Sequence, residues 1–356
     1  MKNHMNGKKR LKKRWLFLGL LPLIVGIGAF SAWRWWIGVS APAQEMVQEK
    51  QILKIAPGTA AQEIGQNLQK NGLIRSSTAW NLWARYLASQ NPKGGFKAGN
   101  YELSPGQSLP EIAQTIWTGK VIQASFTIPE GWSLKQMAAY FEKEGFFSAK
   151  EFLAAANQVN RTQYPWLPAD IPFLEGFLYP DTYQIDKGTI TAQSIVNQML
   201  ERFQQAALPM YEKARGQTKL SLKQWVTLAS VVEKEAVVPG ERKRIAGVFT
   251  SRLNKGMRLE SDPTVEYAFG IKQTADKPLT FAQVKAPSPY NTYFTTGLPP
   301  TPIAAPGLAS LEATLYPENT EYLFFVAKYD GTHVFSRTLK DHEFAVVKIR
   351  RERNSR

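Results

Sequence analysis

A run of nineteen uncharged residues, from Trp15 to Trp33, directly follows a strongly basic N-terminal tail. Its length matches the roughly 20 apolar residues with which a helix crosses a bilayer. Because basic residues stay on the cytoplasmic side, the tail places the N-terminus in the cytoplasm and the rest of the chain outside it. The sequence therefore predicts a cytoplasmic tail over residues 1–14, a transmembrane helix over 15–37 and a linker over 38–50.

The alternative to a retained anchor is a cleaved signal peptide, because Ala41, Pro42 and Ala43 have the spacing of small residues at a cleavage site. The uncharged run, however, exceeds the about 7 to 15 residues of a signal peptide's apolar region. A proline also lies inside the would-be cleavage site. The retained anchor is therefore favoured, and it predicts a single-pass protein of the cytoplasmic (inner) membrane with an extracytoplasmic or periplasmic main part.

The formal net charge of +15 suggests nucleic-acid binding until its distribution is considered. Seven positive charges lie between Lys2 and Arg14, so about +8 remains for the rest of the chain. This remainder favours an anionic membrane or wall surface, and we expect no nucleic-acid partner. The chain has no cysteine and three histidines, so it offers neither a thiol nucleophile nor a common metal-ligand pattern. We therefore expect no metal and no cofactor.

A weak repeat follows the linker and is built on Gly58, Gly106 and Gly131. Each glycine follows a short extended stretch with a proline, and apolar residues recur six and ten positions after it. The four-residue step between them is helical, and two of the glycines are followed by capping-box patterns. Each segment is thus predicted to form a strand, a tight turn and a helix. Residues 51–125 resemble the LysM-type glycan-binding module, unless the repeat reflects only common turn chemistry.

The remainder of the chain is predicted to mix helices with short strands. A long helical pattern covers about Thr191 to Arg215. Tyr322–Ala327 and His333–Ser336 predict a hairpin that turns at Asp330–Gly331. The segment from Glu175 to Tyr183 combines aromatic, acidic and turn residues, which suits a loop lining a cleft or, equally, a buried corner.

Carboxylate chemistry remains once other mechanisms are tested, and its main candidate is the helical run from Leu228 to Ala236. Serine-enzyme and phosphate-loop motifs do not occur after the predicted span. Helical spacing lets Glu235 lie on an apolar stripe with Val231, where loss of solvation would keep its carboxyl protonated near neutral pH. Glu233 has the same claim, so periodicity alone does not choose between them. The alternative for both is a solvated helix end.

Ordered sequence blocks between about residues 175 and 342 resemble one known family. The blocks are Leu228–Glu235, Val248–Leu253, Gly256–Tyr267, Pro289–Tyr293, Gly297–Pro300, Pro302–Ile303, Pro306–Gly307, Tyr322–Val326 and Gly331–Phe335. With the basic tail, the single span and the LysM-like region, they resemble the YceG-like (MltG-type) family of endolytic murein transglycosylases. The stretches 145–170 and 204–220 show no feature that matches.

The resemblance implies both a site and a reaction. Glu235 corresponds to the family's catalytic glutamate, and Glu233 becomes a supporting residue. The implied reaction cleaves the β-1,4 bond between N-acetylmuramic acid and N-acetylglucosamine in nascent glycan strands and leaves a 1,6-anhydro end. Glu235 would donate a proton and then, as a carboxylate, accept one from the muramyl C6 hydroxyl. The expected biological outcome is termination of glycan chain elongation.

Seven further residues are expected to bind substrate or line the site. They are Glu175, Glu233, Asp262, Thr264, Tyr290, Asn291 and Tyr293. An Asp before a proline often fixes a turn, so Asp262 is expected to hold local structure or bind sugar; facing Glu235 across a cleft, it would instead support hydrolysis. The residues of the Tyr290–Tyr293 segment suit stacking and hydrogen bonds with sugars, with an aromatic corner as the alternative.

The sequence thus predicts an α+β protein with one transmembrane helix, a LysM-like α/β subdomain and a mixed α+β catalytic domain over residues 126–356. The expected partners are peptidoglycan glycan strands, the cytoplasmic membrane and, from the resemblance, peptidoglycan synthases. Two other functions stay open at this point. One is a peptidoglycan-binding scaffold without catalysis, and the other is a lysozyme-like hydrolase that uses Glu235 with Asp262 or Glu175.

Overall fold

The computed structural model describes residues 25–44, 49–120, 123–186, 190–274, 277–328 and 330–354. The described chain begins in helix α1, residues 25–40. The predicted tail over 1–14 and the first part of the predicted span over 15–37 lie outside the described residues. Among the residues that are described, none forms a helix both long and apolar enough to cross a membrane.

The first of two compact units comprises Met1–Ala124 and Gln184–Thr189. After α1, its elements are β1 (Gln51–Ile55), α2 (Ala61–Lys70), α3 (Ser77–Gln90), β2 (Gly99–Leu103) and α4 (Leu109–Thr118). Strands β1 and β2 pair antiparallel, with Gln51 opposite Leu103 and Ile55 opposite Gly99. Trp80 and Tyr101 are fully buried in the core of this unit. The indole of Trp80 lies so close to Gly65 that no Cβ fits there, which explains a glycine inside helix α2.

The second unit comprises Ser125–Tyr183 and Ile190–Arg356 and is mainly helical. Its helices are α5 (Leu134–Lys143), α6 (Ala149–Ala156), α7 (Ala192–Ala206), α8 (Leu208–Ala214), α9 (Leu222–Glu235), α10 (Arg242–Asn254), α11 (Asp262–Phe269), α12 (Phe281–Lys285), α13 (Leu308–Leu315) and α14 (Leu339–Asn354). Strands β3 (Gln123–Thr127) and β4 (Thr182–Asp186) form one two-stranded sheet, of which residues 125–127 and 182–183 belong to this unit. Strands β5 (Phe324–Ala327) and β6 (His333–Ser336) form another, with Phe324 opposite Ser336.

The predicted α+β class is confirmed, and so are most of the predicted local elements. Each glycine-centred segment forms a strand, a turn and a helix, as β1–α2, β2–α4 and β3–α5. The hairpin of β5 and β6 turns at Asp330–Gly331, as predicted. The helical run over Thr191–Arg215 is divided at Ala207, because Pro209 has no backbone N–H to continue the bonding. The LysM-like character of residues 51–125 stays a prediction.

Helix α9 lies at the centre of the second unit. A capping box of Ser221 and Gln224 begins the helix, and every residue from Trp225 to Val232 is buried. The Trp225 indole donates to the backbone oxygen of Leu311 in α13 at 2.9 Å, which fixes the two helices against each other. A helix segment that is buried on all sides belongs to the interior of a domain, and the continuous burial of α9 stops after Val232. The polar residues at the end of α9 therefore mark the edge of this core.

Candidate active site

Glu235 is the last residue of α9 and is half-buried at the edge of the core. The Ser261 hydroxyl donates to its Oε1 at 2.6 Å. Burial raises the pKa of Glu235 to about 7, the negative charges of Asp262 and Glu266 act in the same direction, and the Ser261 bond opposes them. A carboxyl group with this pKa can give up and regain a proton near neutral pH, as acid–base catalysis requires.

Glu233 lies two residues before Glu235 and therefore faces a different side of α9. Its Oε2 accepts a hydrogen bond from the backbone N–H of Gly307 at 3.0 Å, where helix α13 begins. Its Oε1 lies 3.7 Å from Nη2 of Arg242 in α10. Glu233 thus ties α9 to two neighbouring helices. The two acids that periodicity left equivalent are separated by their tertiary contacts.

Glu130 is a third acid near this end of α9, and sequence reasoning missed it. Its carboxyl packs so closely against Gly307 that a Cβ on that glycine would have to displace it. Burial and the charge of Glu233 raise the pKa of Glu130, while the charge of Arg242 opposes them. Glu130, Glu233 and Arg242 thus form a charged cluster at the start of α13. The sequence Ile-Pro-Glu-Gly around Glu130 predicts a turn, but it does not predict that Glu130 lies near α9.

Asp262 is the first residue of α11, followed by Pro263. The Tyr293 hydroxyl donates to Oδ1 of Asp262 at 2.7 Å, and Nε2 of Gln273 donates to Oδ2 at 3.1 Å. Burial and the charge of Asp262 raise the pKa of Tyr293, so the phenol stays a neutral donor. The two carboxylate oxygens of Asp262 therefore hold Tyr293 and Gln273 against the start of α11. The negative charge of Asp262 also raises the pKa of Glu235.

A network of buried hydroxyl groups lies behind Glu235. The Thr264 hydroxyl donates to the backbone oxygen of Ser261 at 2.6 Å and lies 2.8 Å from the Thr292 hydroxyl. The backbone N–H of Ser261 donates to the Thr292 hydroxyl at 3.0 Å. Thr264, predicted to bind substrate, is fully buried and serves this network. Sequence reasoning missed Ser261 and Thr292, because a single hydroxyl residue has no characteristic spacing.

The residues before Tyr293 pack against their own loop and against helices α11 and α12. Asn291 is fully buried, and its side-chain amide donates to the backbone oxygens of Val284 and Ala286 at 2.9 and 2.8 Å. The Tyr290 hydroxyl lies 2.8 Å from the Thr301 hydroxyl, and its ring contacts that of Tyr267 at 5.0 Å between centroids. This arrangement is the aromatic corner that the sequence left open as an alternative. Sugar contacts of the half-buried Tyr290 and Tyr293 stay a prediction.

Glu175 lies in a buried corner rather than on a cleft, since every residue from 174 to 180 is buried. Its carboxyl accepts the backbone N–H of Leu134 at the start of α5 and the hydroxyl of Tyr267, both at 3.0 Å. Burial raises the pKa of Glu175 to about 7. The side chain is 2% exposed and offers no surface to a sugar. Glu175 thus has structural contacts in this structure, and the substrate contact predicted for it stays a prediction.

An open groove lies close to these residues. It is lined by Ile271, Lys272, Gln273, Lys277, Pro278, Leu279, Thr280 and Gln283. Gln273 lines the groove and also donates to Asp262. The groove therefore adjoins the residue that follows Ser261, whose hydroxyl bonds Glu235. The described residues contain no group of three or more His, Cys, Asp or Glu side chains placed to hold a metal ion. The one histidine of the β5–β6 hairpin, His333, has a structural contact: its Nδ1 lies 2.8 Å from Oε2 of Glu241. This contact fixes β6 to the turn before α10.

Comparisons with known proteins identify relatives of this chain. The model of the YceG-like family matches residues 53–348. A Bacillus subtilis (strain 168) protein named endolytic murein transglycosylase is 34% identical over 85% of this chain and 86% of its own length. One of the same name from Streptococcus pneumoniae (strain D39) is 29% identical over 92% of this chain, which spans 63% of that relative. The crystal structure of a yceG-like protein from Listeria monocytogenes is 34% identical, with a TM-score of 0.57 over 83% of this chain and 99% of that one.

Proposed function

The chain belongs to the YceG-like family and is a lytic transglycosylase of peptidoglycan, and we propose that Glu235 is both the acid and the base of its reaction. The observation that carries this proposal is the raised pKa of Glu235, about 7, at the end of a buried helix. Catalytic acids need a pKa near the working pH. The carboxyl of Glu233, by contrast, accepts the Gly307 N–H and lies beside Arg242, so it serves to join helices.

The reaction proceeds without water as a reactant. Protonated Glu235 gives its proton to the glycosidic oxygen while the bond from that oxygen to C1 of the muramic acid breaks. The resulting carboxylate takes the proton of the muramyl C6 hydroxyl, and the C6 oxygen bonds to C1. The products are a free hydroxyl on the leaving sugar and a 1,6-anhydro end, and Glu235 is protonated again.

One carboxyl group suffices in this mechanism because the nucleophile is part of the substrate. Intramolecular attack replaces both an activated water and an enzyme nucleophile, the tasks of the second carboxylate in most glycoside hydrolases. The contacts of the other acids support this view. Asp262 has both oxygens engaged by Tyr293 and Gln273, and Glu175 is buried.

Product masses test the proposal directly. Full-length protein in detergent is incubated with uncrosslinked glycan strands, and the released fragments are measured by mass spectrometry. We expect fragments with 1,6-anhydro ends, which are lighter by one water than reducing ends. Fragments that carry the added water would instead establish the lysozyme-like hydrolase. Binding of strands without release of fragments would establish the scaffold.

Two matched substitutions test the assignment to Glu235. Glu235→Gln keeps the size of the side chain and removes its proton exchange, so cleavage should fall by roughly 10²- to 10⁴-fold. Glu233→Gln can still accept the Gly307 N–H and should keep most of the activity. The assignment is wrong if Glu235→Gln retains activity or if Glu233→Gln loses as much. Circular dichroism at equal concentrations checks that both variants are folded.

We further propose that the protein is anchored in the cytoplasmic membrane with its N-terminus inside. The seven basic charges before Trp15 and the uncharged run to Trp33 support this topology. An anchored enzyme meets nascent strands close to the bilayer before mature ones. Termination of glycan elongation, a LysM-like glycan contact through residues 51–125 and contact with peptidoglycan synthases belong to the same proposal.

The absence of cysteine makes the topology simple to test. Single cysteines are introduced as Asn3→Cys in the tail and Gln90→Cys at the exposed end of α3. A membrane-impermeant maleimide should label the second position in intact spheroplasts and the first only after lysis. Labelling of both positions in intact spheroplasts, or of neither, would overturn the topology. Crosslinking in the same membranes tests contact with a synthase.

A further inference from the structure

The chain segment that carries Ser261 is held by a buried arginine. Arg252 of α10 is 6% exposed and donates through Nη1 to the backbone oxygens of Arg258 and Leu259 at 2.9 and 3.0 Å. The same nitrogen lies 2.9 Å from the Glu260 carboxylate. Five donors in a fixed planar group allow arginine to hold several acceptors at once. Residues 258–260 are therefore fixed against α10 before the chain reaches Ser261.

Glu260 has an unusual backbone conformation. Its φ is +53°, in the left-handed region that a residue with a Cβ adopts at a cost of about 1–2 kcal/mol. Such strain persists where surrounding contacts over-determine it, and it occurs often at functional sites. Here the contacts are those of Arg252, together with the bond from the Glu260 N–H to the backbone oxygen of Thr292 at 3.2 Å. The left-handed turn directs the chain so that Ser261 follows with its hydroxyl on Glu235.

Ser261 is itself immobilised on all its backbone groups. Its N–H donates to Thr292 and its oxygen accepts from Thr264, and the residue is 1% exposed. The side-chain hydroxyl is thus presented from a rigid support. Rigid support of this kind is what a catalytic carboxyl needs if it is to keep one orientation.

We propose that Ser261 is a positioning residue for Glu235: by donating to Oε1, it fixes the carboxyl group and leaves Oε2 as the oxygen that carries and delivers the proton. In a protonated carboxyl one oxygen bears the hydrogen and the other is a carbonyl acceptor. The Ser261 hydroxyl occupies Oε1 as a donor, so the hydrogen belongs on Oε2. The same bond stabilises the carboxylate that forms after proton transfer. This inference rests on the proposed function.

The charges around Glu235 set the direction of the expected pH effect. Asp262 and Glu266 of α11 are the charged groups that act on it, and both raise its pKa, as burial does. The Ser261 bond lowers the pKa. Loss of that bond should therefore keep Glu235 protonated to a higher pH. Because the acid form starts the reaction, the alkaline limb of the pH profile should move upward.

The experiment measures the rate of 1,6-anhydro end formation against pH with full-length protein and uncrosslinked glycan strands. For Ser261→Ala we expect kcat to fall about 10- to 100-fold with an unchanged KM, because orientation of the acid is lost. The alkaline limb of kcat/KM should move up by about one pH unit, the size expected for one charge-assisted hydrogen bond. Ser261→Cys keeps the volume with a weaker donor and should give a smaller shift in the same direction.

A matched control removes a buried hydroxyl elsewhere. Ser310 of α13 is fully buried, and its hydroxyl has no hydrogen-bond partner among the described residues. Ser310→Ala should leave both the rate and the pH profile as in the wild type. An alkaline limb that stays in place in both Ser261 variants would overturn the inference, as would the same shift in Ser310→Ala. If the wild type itself forms no anhydro ends, the proposed function fails instead.

Discussion

The hydroxyl of Tyr293 donates to Oδ1 of Asp262, 31 residues earlier in the chain, at 2.7 Å. Gln273 engages the other oxygen of the same carboxylate. A hydrolase that retains configuration needs a second carboxylate free to attack the sugar, and one that inverts needs it free to activate water. Each oxygen of Asp262 instead accepts a hydrogen bond from the protein, from Tyr293 or from Gln273. Asp262 acts on Glu235 through its negative charge, which raises the pKa of Glu235.

Asp262→Asn should therefore change the pH dependence of the enzyme but not its product. Removal of a negative charge that raises the pKa of Glu235 lowers that pKa, so the alkaline limb of the rate profile should move to lower pH. The shift is opposite in sign to that expected for Ser261→Ala. Fragments should still carry 1,6-anhydro ends. Loss of all cleavage, with the protein folded, would restore Asp262 as a hydrolytic partner.

Glu175→Gln should stabilise the protein at alkaline pH. The pKa of Glu175 rises from 4.5 to about 7 on folding, so the folded state binds this proton more tightly than the unfolded chain does. Stability from this group is present below pH 4.5 and is lost as pH rises through about 7. Glutamine avoids this loss and can still accept the Leu134 N–H. We expect a gain of about 2 kcal/mol at pH 8 and little change at pH 4.

Urea unfolding of both proteins at the two pH values measures this difference. The variant should also release anhydro-ended fragments, since the Glu175 carboxyl is buried away from substrate. Equal stability of variant and wild type at pH 8 would show that Glu175 is already charged at little cost. Loss of cleavage in a folded Glu175→Gln would return this residue to the active site.

Local patterns predicted much of the fold, because they depend on residues close together in the chain. Capping boxes, the helical step of α9 and the hairpin at Asp330–Gly331 are of this kind. The choice between Glu233 and Glu235 is not, because it depends on Gly307 and Ser261, which lie far away in sequence. Periodicity predicts which face of a helix a residue lies on, but it does not predict which distant residue packs against that face. The resemblance to a family supplied the choice that helical spacing could not.

Gly247→Ala should destabilise the protein although it improves helix propensity. Gly247 lies inside α10, where alanine is normally favoured over glycine by about 1 kcal/mol. A Cβ at this position would press on the backbone oxygen of Glu318, which cannot move aside as a side chain can. We expect a net loss of about 1–3 kcal/mol in the free energy of unfolding. Gly240→Ala, whose Cβ meets open space, should be neutral or slightly stabilising in the same measurement.

Arg252→Met should destabilise the fold and disturb the site together. The substitution keeps an apolar stem but leaves the backbone oxygens of Leu323, Arg258 and Leu259 without the guanidinium that now pairs them. Leaving these three backbone acceptors unpaired is expected to cost about 3–5 kcal/mol. Thermal and urea unfolding at pH 7 measure this loss.

Arg244→Met on the same helix is the matched control for Arg252→Met. Arg244 is 39% exposed and pairs with an equally exposed Glu318, so its loss should cost no more than about 1 kcal/mol. Because Arg252 also holds the strained Glu260, its loss should release the segment that presents Ser261 and lower cleavage even at temperatures where the variant is folded. Folded Arg252→Met with wild-type cleavage would mean that the left-handed turn at Glu260 holds Ser261 in place by itself.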